Sequence, residues 1–212
     1  MKSISLPVLI LLLTGATVVF SIKQYRNPFE AVQGCLQYDN PLNYDDKTLE
    51  YFATDNFRHV GRTETSKYIR VGIVGLSDGK IRYGNVPYPY EGSVIEIYLS
   101  GFINVNSQIN RHTRSNNSEY INTQLKSILT PNVVSDMRPL MFRLEVFDNG
   151  NVTLTKDGQK KPFLEFMDNY KLQLDYIAFS ASFNNVFFYF DCPLNTDSNM
   201  NDDTVLLECE LA

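Results

Sequence analysis

The chain has 212 residues, of which 43% are hydrophobic, 20% charged and 13% aromatic, a globular balance that excludes wholesale disorder and collagen-like repetition. Nineteen basic against 24 acidic side chains give a net charge of −5, the wrong sign for a partner bound by neutralising its phosphates, so nucleic acid is excluded. Two histidines and three cysteines are too few for a zinc site built from the chain alone, and no metal is expected.

Residues 1–21 read as an export signal rather than as fold. Lys2 gives a positive start, and Leu6, Val8, Leu9, Ile10, Leu11, Leu12 and Leu13 make an apolar run continued by Val18, Val19 and Phe20. Val19 and Ser21 are compact residues placed to suit cleavage ahead of Ile22. The rival is an uncleaved anchor, but the run is shorter than the roughly 20 apolar residues a span needs, and Ser5, Thr14, Gly15 and Thr17 dilute it. The mature chain is therefore expected to be secreted and extracellular, with no membrane attachment after cleavage. In that oxidising compartment Cys35, Cys192 and Cys209 allow one intramolecular bridge and one leftover thiol, buried or linking two chains. Cys192–Cys209 would close a short polar loop. Cys35 can instead pair with either one if the termini meet in one sheet. Two sequons, Asn116-Asn117-Ser118 and Asn151-Val152-Thr153, mark Asn116 and Asn151 as glycosylation candidates.

Residues 22–56 form a lead-in. Asn27-Pro28-Phe29-Glu30-Ala31-Val32 opens one helical turn, and Asn40-Pro41 marks a bend. From Phe57 onward the pattern is largely period two, the mark of strands with one buried face. Tyr68-Ile69-Arg70-Val71-Gly72-Ile73-Val74 is β-branched and apolar; Ser77-Asp78-Gly79-Lys80 predicts a tight hairpin turn, and Ile81-Arg82-Tyr83 returns. In 94–99, Ile95, Ile97 and Leu99 face one way and Glu96 and Tyr98 the other. After a polar stretch comes the best helical window, 119–130, where Ile121, Leu125, Ile128 and Leu129 share a face and Pro131 closes the run. Leu140, Phe142, Leu144 and Val146 then alternate with Arg143 and Glu145; Asp148-Asn149-Gly150 turns the chain into a strand carrying Val152 and Leu154; Asp157-Gly158 turns it again. Leu172, Leu174 and Tyr176 alternate with polar neighbours, and 186–190 is apolar enough to predict a strand buried on both faces. Many short strands with Gly, Asn and Asp turns predict an all-β fold: a single antiparallel, jelly-roll-like β-sandwich over 57–192, followed by a tail over 193–212.

The most informative stretch is Ile95-Glu96-Ile97-Tyr98-Leu99-Ser100-Gly101-Phe102-Ile103-Asn104-Val105-Asn106-Ser107-Gln108-Ile109-Asn110-Arg111. It resembles the signature of the farnesoic acid O-methyltransferase domain, a β-rich module common in arthropod proteins: an acidic residue in an apolar strand, a small-Gly-aromatic step, an Asn, a Ser three further on and a later Arg. In order around it, Gly75-Leu76-Ser77-Asp78-Gly79-Lys80-Ile81-Arg82 is similar to the family's preceding hairpin and 140–155 to its next one. Pro162-Phe163-Leu164, Asp168, Tyr176-Ile177-Ala178-Phe179-Ser180 and 188–191 follow the same pattern. The family places Trp after the glycine and in later strands. This chain has no Trp, and Phe102 stands in the first of those places.

The resemblance implies a name, methyl transfer to an isoprenoid acid, that the residues do not support on their own. The nearest cofactor cradle, Gly72-Ile73-Val74-Gly75-Leu76-Ser77-Asp78-Gly79, leads from one strand-like run into another, so no helix N-terminus would meet a nucleotide, and no cofactor is expected. His59 reads as an edge-strand residue and His112 as a loop residue, neither a catalytic base. Asp197, Asp202 and Asp203 read as a solvated tail rather than a calcium site. Glu96, Asn104, Ser107 and Arg111 match the family signature and are the ligand-binding candidates, as a polar pocket for a sugar or other polyol. Their structural alternative has Asn104 and Ser107 shaping a turn and Arg111 pairing with Glu96 across the sheet. Tyr88 and Tyr90 are candidate loop aromatics for sugar stacking, a partner contact or cap packing. The expected function is a secreted, non-catalytic recognition module for a glycan or extracellular protein. The alternatives are the methyl transfer of the family name and a passive structural module.

Overall fold

A computed structural model describes residues 27–39, 41, 49–87, 92–114, 120–182 and 186–194. The expected export signal, Asn116, Tyr88, Tyr90, Asp197, Asp202, Asp203 and Cys209 lie outside the described residues.

Thirteen strands are described: β1 (Leu36–Tyr38), β2 (Tyr51–Ala53), β3 (Gly61–Arg62), β4 (Ser66–Val74), β5 (Gly79–Gly84), β6 (Gly92–Ser100), β7 (Asn106–Arg114), β8 (Tyr120–Leu129), β9 (Leu140–Phe147), β10 (Asn151–Lys156), β11 (Leu164–Met167), β12 (Tyr176–Ala181) and β13 (Phe187–Phe190). They form two antiparallel sheets. One runs β1-β13-β4-β9-β10-β11 with β3 beside β4; the other runs β2-β12-β5-β6-β7-β8. The expected sandwich is the observed one. Its cause is the alternation in the sequence: Ile69, Val71 and Ile73 of β4 and Phe142, Leu144 and Val146 of β9 belong to one buried cluster with Ile81, Ile95, Ile97, Leu99 and Ile177 of the other sheet. Each such side chain contributes about 1.5–3 kcal/mol on leaving water. Phe179 packs against β13, its ring centroid 4.9 Å from Phe188 and 5.4 Å from Phe190.

The segment before Phe57 supplies an edge strand to each sheet: β1 pairs with β13, and β2 with β12. The expected helical turn is a 3-10 turn, Pro28–Val32, capped by Asn27, whose side chain accepts from the Phe29 N–H. Because Leu36 lies opposite Phe190, the chain just before β1 meets the chain just after β13, and the disulfide formed is Cys35–Cys192.

Three local expectations are corrected. The residues Ser77-Asp78-Gly79 do not close a hairpin, because β4 ends in one sheet and β5 begins in the other. They form a corner in which Asp78 carries the positive φ of 65° and donates its N–H to the Ser100 carbonyl. The helical window at 119–130 is strand β8. A bulge opposite Ile109 and Asn110 inserts Leu125 without a partner, so the period-two pattern slips and the apolar residues 125 and 128 acquire a spacing of three that imitates a helix. Finally, β13 is buried on one face only: Phe188 and Phe190 enter the core while Phe187 reaches solvent.

The hairpin at Asp148-Asn149-Gly150 forms as expected, with Gly150 at φ +93°. No helix among the described residues is long and apolar enough to cross a membrane.

Candidate functional site

Because Ile95, Ile97 and Leu99 point into the core, Glu96 and Tyr98 are turned to the outer face of the six-stranded sheet. Register fixes their neighbours. Arg82 of β5 lies opposite Glu96, Lys80 lies opposite Tyr98, and His112 of β7 lies opposite Val94 on the same face. The Arg82 Nε donates to Glu96 Oε2 at 2.7 Å, and His112 Nε2 lies 3.3 Å from Glu96 Oε1. All three side chains are buried, with exposures of 1%, 2% and 0% for Arg82, Glu96 and His112. Burial alone would raise the Glu96 carboxyl; the hydrogen bond with His112 and the Arg82 charge overcome it and hold the group at about 2.

A second cluster adjoins this one. Lys80 Nζ donates to Ser182 Oγ at 2.8 Å and sits 5.1 Å above the Tyr98 ring centroid. Burial lowers the Lys80 ammonium, against the pull of Glu96 and Asp78. The Tyr98 hydroxyl donates to Asp78, and burial together with that carboxylate pushes the phenol up. Asn122 and Gln124 of β8 continue the same face, exposed, opposite His112 and Asn110. The face thus offers fixed donors and acceptors at short spacing. It offers no general acid at Glu96, whose carboxyl stays ionised at all ordinary pH and has an oxygen facing each of Arg82 and His112.

The four signature residues are not gathered into one pocket. Glu96 belongs to the network above. Arg111 lies opposite Ile95 in the β6–β7 register, so it faces the other side of the sheet from Glu96. There its Nη1 donates to Asp168 Oδ1 at 3.1 Å, and its guanidinium lies 3.5 Å from the Tyr170 ring centroid. The Glu96–Arg111 pair is therefore not made; Arg82 and Asp168 take the two places. Asn104, at φ 59°, donates its side-chain amide to the Val134 carbonyl at 2.7 Å. Ser107 is buried and hydrogen-bonds the Thr130 hydroxyl at 2.6 Å. Both hold the turn between β6 and β7 against the segment after β8.

His112 is the residue that the sequence reading misplaced. It is a buried strand residue, not a loop residue, and polar neighbours on both sides hid its strand. Arg82 and Lys80 were legible only as members of a short return strand; the alternation that turned Glu96 outward turns them outward too. His59 is held structurally: its backbone N–H donates to Asp191 Oδ1 at 2.9 Å, and its Nδ1 lies 3.0 Å from the Asp191 carbonyl oxygen. Asn151 is half-buried at the start of β10, with its side-chain amide donating to Glu165 at 3.0 Å.

The glycine run 72–79 was the nearest candidate for a nucleotide cradle. The space beside Gly72 is filled by the Met141 side chain and that beside Gly79 by the Ile73 side chain. These glycines admit protein atoms, not a cofactor, so the run does not fit S-adenosylmethionine.

A family model described as farnesoic acid O-methyl transferase matches residues 45–194, from just before β2 to just after β13. No curated protein matches the chain. Among solved structures it is similar to a native glycosidic hydrolase (10% identity, TM-score 0.39, covering 73% of this chain and 94% of that one). It is also similar to the β-glucanase of Bacillus licheniformis (10% identity, TM-score 0.37, covering 74% and 95%). A third is the CBM40 module of the Ruminococcus gnavus IT-sialidase bound to α2,3-sialyllactose (11% identity, TM-score 0.35, covering 77% and 92%).

Proposed function

The chain belongs to the farnesoic acid O-methyltransferase family, and we propose that it acts as a secreted, non-catalytic recognition module for a polyhydroxylated ligand, a glycan. The observation that carries this reading is the buried Arg82–Glu96–His112 network on the outer face of the six-stranded sheet, flanked by Lys80, Tyr98 and Ser182. A sugar hydroxyl both donates and accepts. The buried network fixes the strands of this face, and beside it the half-buried Tyr98 and the exposed Asn122 and Gln124 amides answer both needs. Locking those groups in place before binding lowers the ordering cost that weakens most polar recognition. Of the signature residues, Glu96 belongs to this network, Asn104 and Ser107 hold the turn between β6 and β7, and Arg111 lies on the other side of the sheet.

Export is part of the proposal. A disulfide between the chain just before β1 and the chain just after β13 suits an oxidising compartment. In that compartment Asn151 and Asn116 are the proposed glycan attachment points. Methyl transfer is the competing class, because the family name describes it. Its requirement is a nucleotide cradle, and the glycine run is packed against Met141 and Ile73 instead.

The test uses the full chain secreted from cultured cells. A glycan array is expected to show discrete saccharide signals that fall at least about tenfold in Tyr98→Phe and Lys80→Ala variants, equivalent to about 1.4 kcal/mol. Calorimetry with S-adenosylmethionine is expected to be flat. Heat with a fixed stoichiometry from that cofactor refutes the non-catalytic reading. Silence across the array refutes the glycan and moves the assignment to an extracellular protein.

A further inference from the structure

Inward positions of a sandwich strand are ordinarily apolar, because the facing sheet covers them. At the end of the six-stranded sheet where β6 and β8 begin and β7 finishes, they are polar. Ser93 of β6 lies opposite Thr113 of β7, and Arg111 of β7 lies between Ile95 of β6 and Thr123 of β8. These polar residues share the face of Ile95, which enters the core. Yet Ser93, Thr113 and Arg111 are only partly buried, and Thr123 is exposed. The facing sheet therefore does not seal this end.

The segment after β11 reaches toward it. Asp168, 1% exposed, accepts the Tyr170 N–H and Arg111 Nη1 on Oδ1, each at 3.1 Å, and the Leu172 N–H on Oδ2 at 2.9 Å. The Arg111 guanidinium lies 3.5 Å from the Tyr170 ring centroid, close enough for the two flat groups to be in contact. Arg111 thus covers one face of the ring. Tyr170 is nonetheless 60% exposed, so its other face is open to solvent. An exposed tyrosine is ordinarily free to change rotamer on a fast timescale. One buried carboxylate fixes this one twice, through its own backbone N–H and through the guanidinium beneath its ring.

We propose that Tyr170 is a stacking platform for a neutral saccharide, a glycan site on the side of the six-stranded sheet opposite the Arg82–Glu96–His112 network. A pyranose ring has an apolar C–H face and an edge of hydroxyls that donate and accept. Tyr170 supplies a flat apolar surface held ready before binding, which lowers the ordering cost. Thr123, the cross-strand neighbour of Arg111, supplies a hydroxyl beside it. Ser93 and Thr113 hold one another at 2.8 Å and keep lone pairs to spare. An apolar partner would use the ring but would bury the Thr123 hydroxyl without a mate, at a cost a sugar avoids. The Arg111 and Asp168 charges offset each other, so this pair selects an uncharged ligand over an anion.

The experiment is saturation-transfer NMR on the full secreted chain, with cello-, laminari-, manno- and chito-oligosaccharides as probes and titration of those that respond. The wild type is expected to bind at least one series. Tyr170→Ala is expected to weaken that binding at least about tenfold, and Tyr170→Phe, which keeps the ring, to stay within about twofold. Thermal melts establish that both variants are folded. Silence from every probe overturns the inference. So does a folded Tyr170→Ala variant that binds like the wild type, or a folded Tyr170→Phe variant that binds no better than Tyr170→Ala. Tyr98→Phe, on the other side of the sheet, separates the two sites. Binding lost in Tyr98→Phe but kept in Tyr170→Ala leaves the outer face standing and overturns this site; the reverse pattern upholds this site and refutes the outer face for that saccharide.

Discussion

Glu96→Gln tests the network at its centre. The Glu96 carboxyl is held at about 2 against an ordinary 4.5. At about 1.36 kcal/mol for each pH unit, that displacement is worth about 3 kcal/mol of folding stability. The folded state lowers this group's affinity for a proton, so the contribution is complete above about pH 5 and drains away as pH falls toward about 2. Glutamine keeps the shape and removes the charge. It leaves Arg82, 1% exposed, beside a neutral amide, and breaking a buried pair from one side costs about 3–5 kcal/mol. The assay is urea unfolding of both proteins at a series of pH values from about 7 to about 3. The stability gap should be widest at neutral pH and narrow steadily on acidification, because protonation does to the wild type what the substitution does to the variant. A gap that stays constant across the series refutes the reasoning, since it means that Glu96 does not ionise against Arg82 and His112. Replacing both partners, Arg82→Met with Glu96→Gln, should cost less than the two single changes added together.

Two further changes probe the seven-stranded sheet. Reducing Cys35–Cys192, or replacing Cys35 by Ser, reopens a loop with a sequence separation of 157 and should cost up to about 5 kcal/mol, read as a lower denaturant midpoint that no longer responds to reductant. Gly150→Ala meets both a φ of +93° and the carbonyl oxygen of Asp168, and should destabilise by about 2 kcal/mol or more in thermal melts.

The architecture was legible because its cause is short-range. Ile95-Glu96-Ile97-Tyr98-Leu99 and Leu140-Met141-Phe142-Arg143-Leu144 carry their burial pattern in their own spelling, and both runs became strands, whereas the alternation of Leu172 and Leu174 with polar neighbours did not, strand β12 beginning only at Tyr176. What was not legible depends on partners distant in sequence. Whether Asp78-Gly79 turns back onto its own strand or crosses to the other sheet depends on β5 pairing with β6 and β12 rather than with β4; nothing within the turn records that. β8 misled for a different reason. Its bulge is a feature of the register with β7, and the three-residue spacing of Leu125 and Ile128 mimics the signal of a helix.

The same distinction explains the site. Glu96 could be singled out because it is an acid in an apolar strand, where an unpaired charge would cost several kcal/mol and so implies a partner. The partner could not be named. Arg111 is the nearest signature cation in the family pattern, but the β6–β7 register sets it beside Ile95, and one residue of register moves a side chain to the opposite face of a sheet. Arg82 and His112 are the residues whose register and parity both agree with Glu96. Three residues from three consecutive strands of one sheet share one outward face, and no single segment of the sequence contains more than one of them. The network on this face is therefore a property of strand register. A substitution that shifts β5 or β7 by one residue should abolish it while leaving every side chain of the network in the chain.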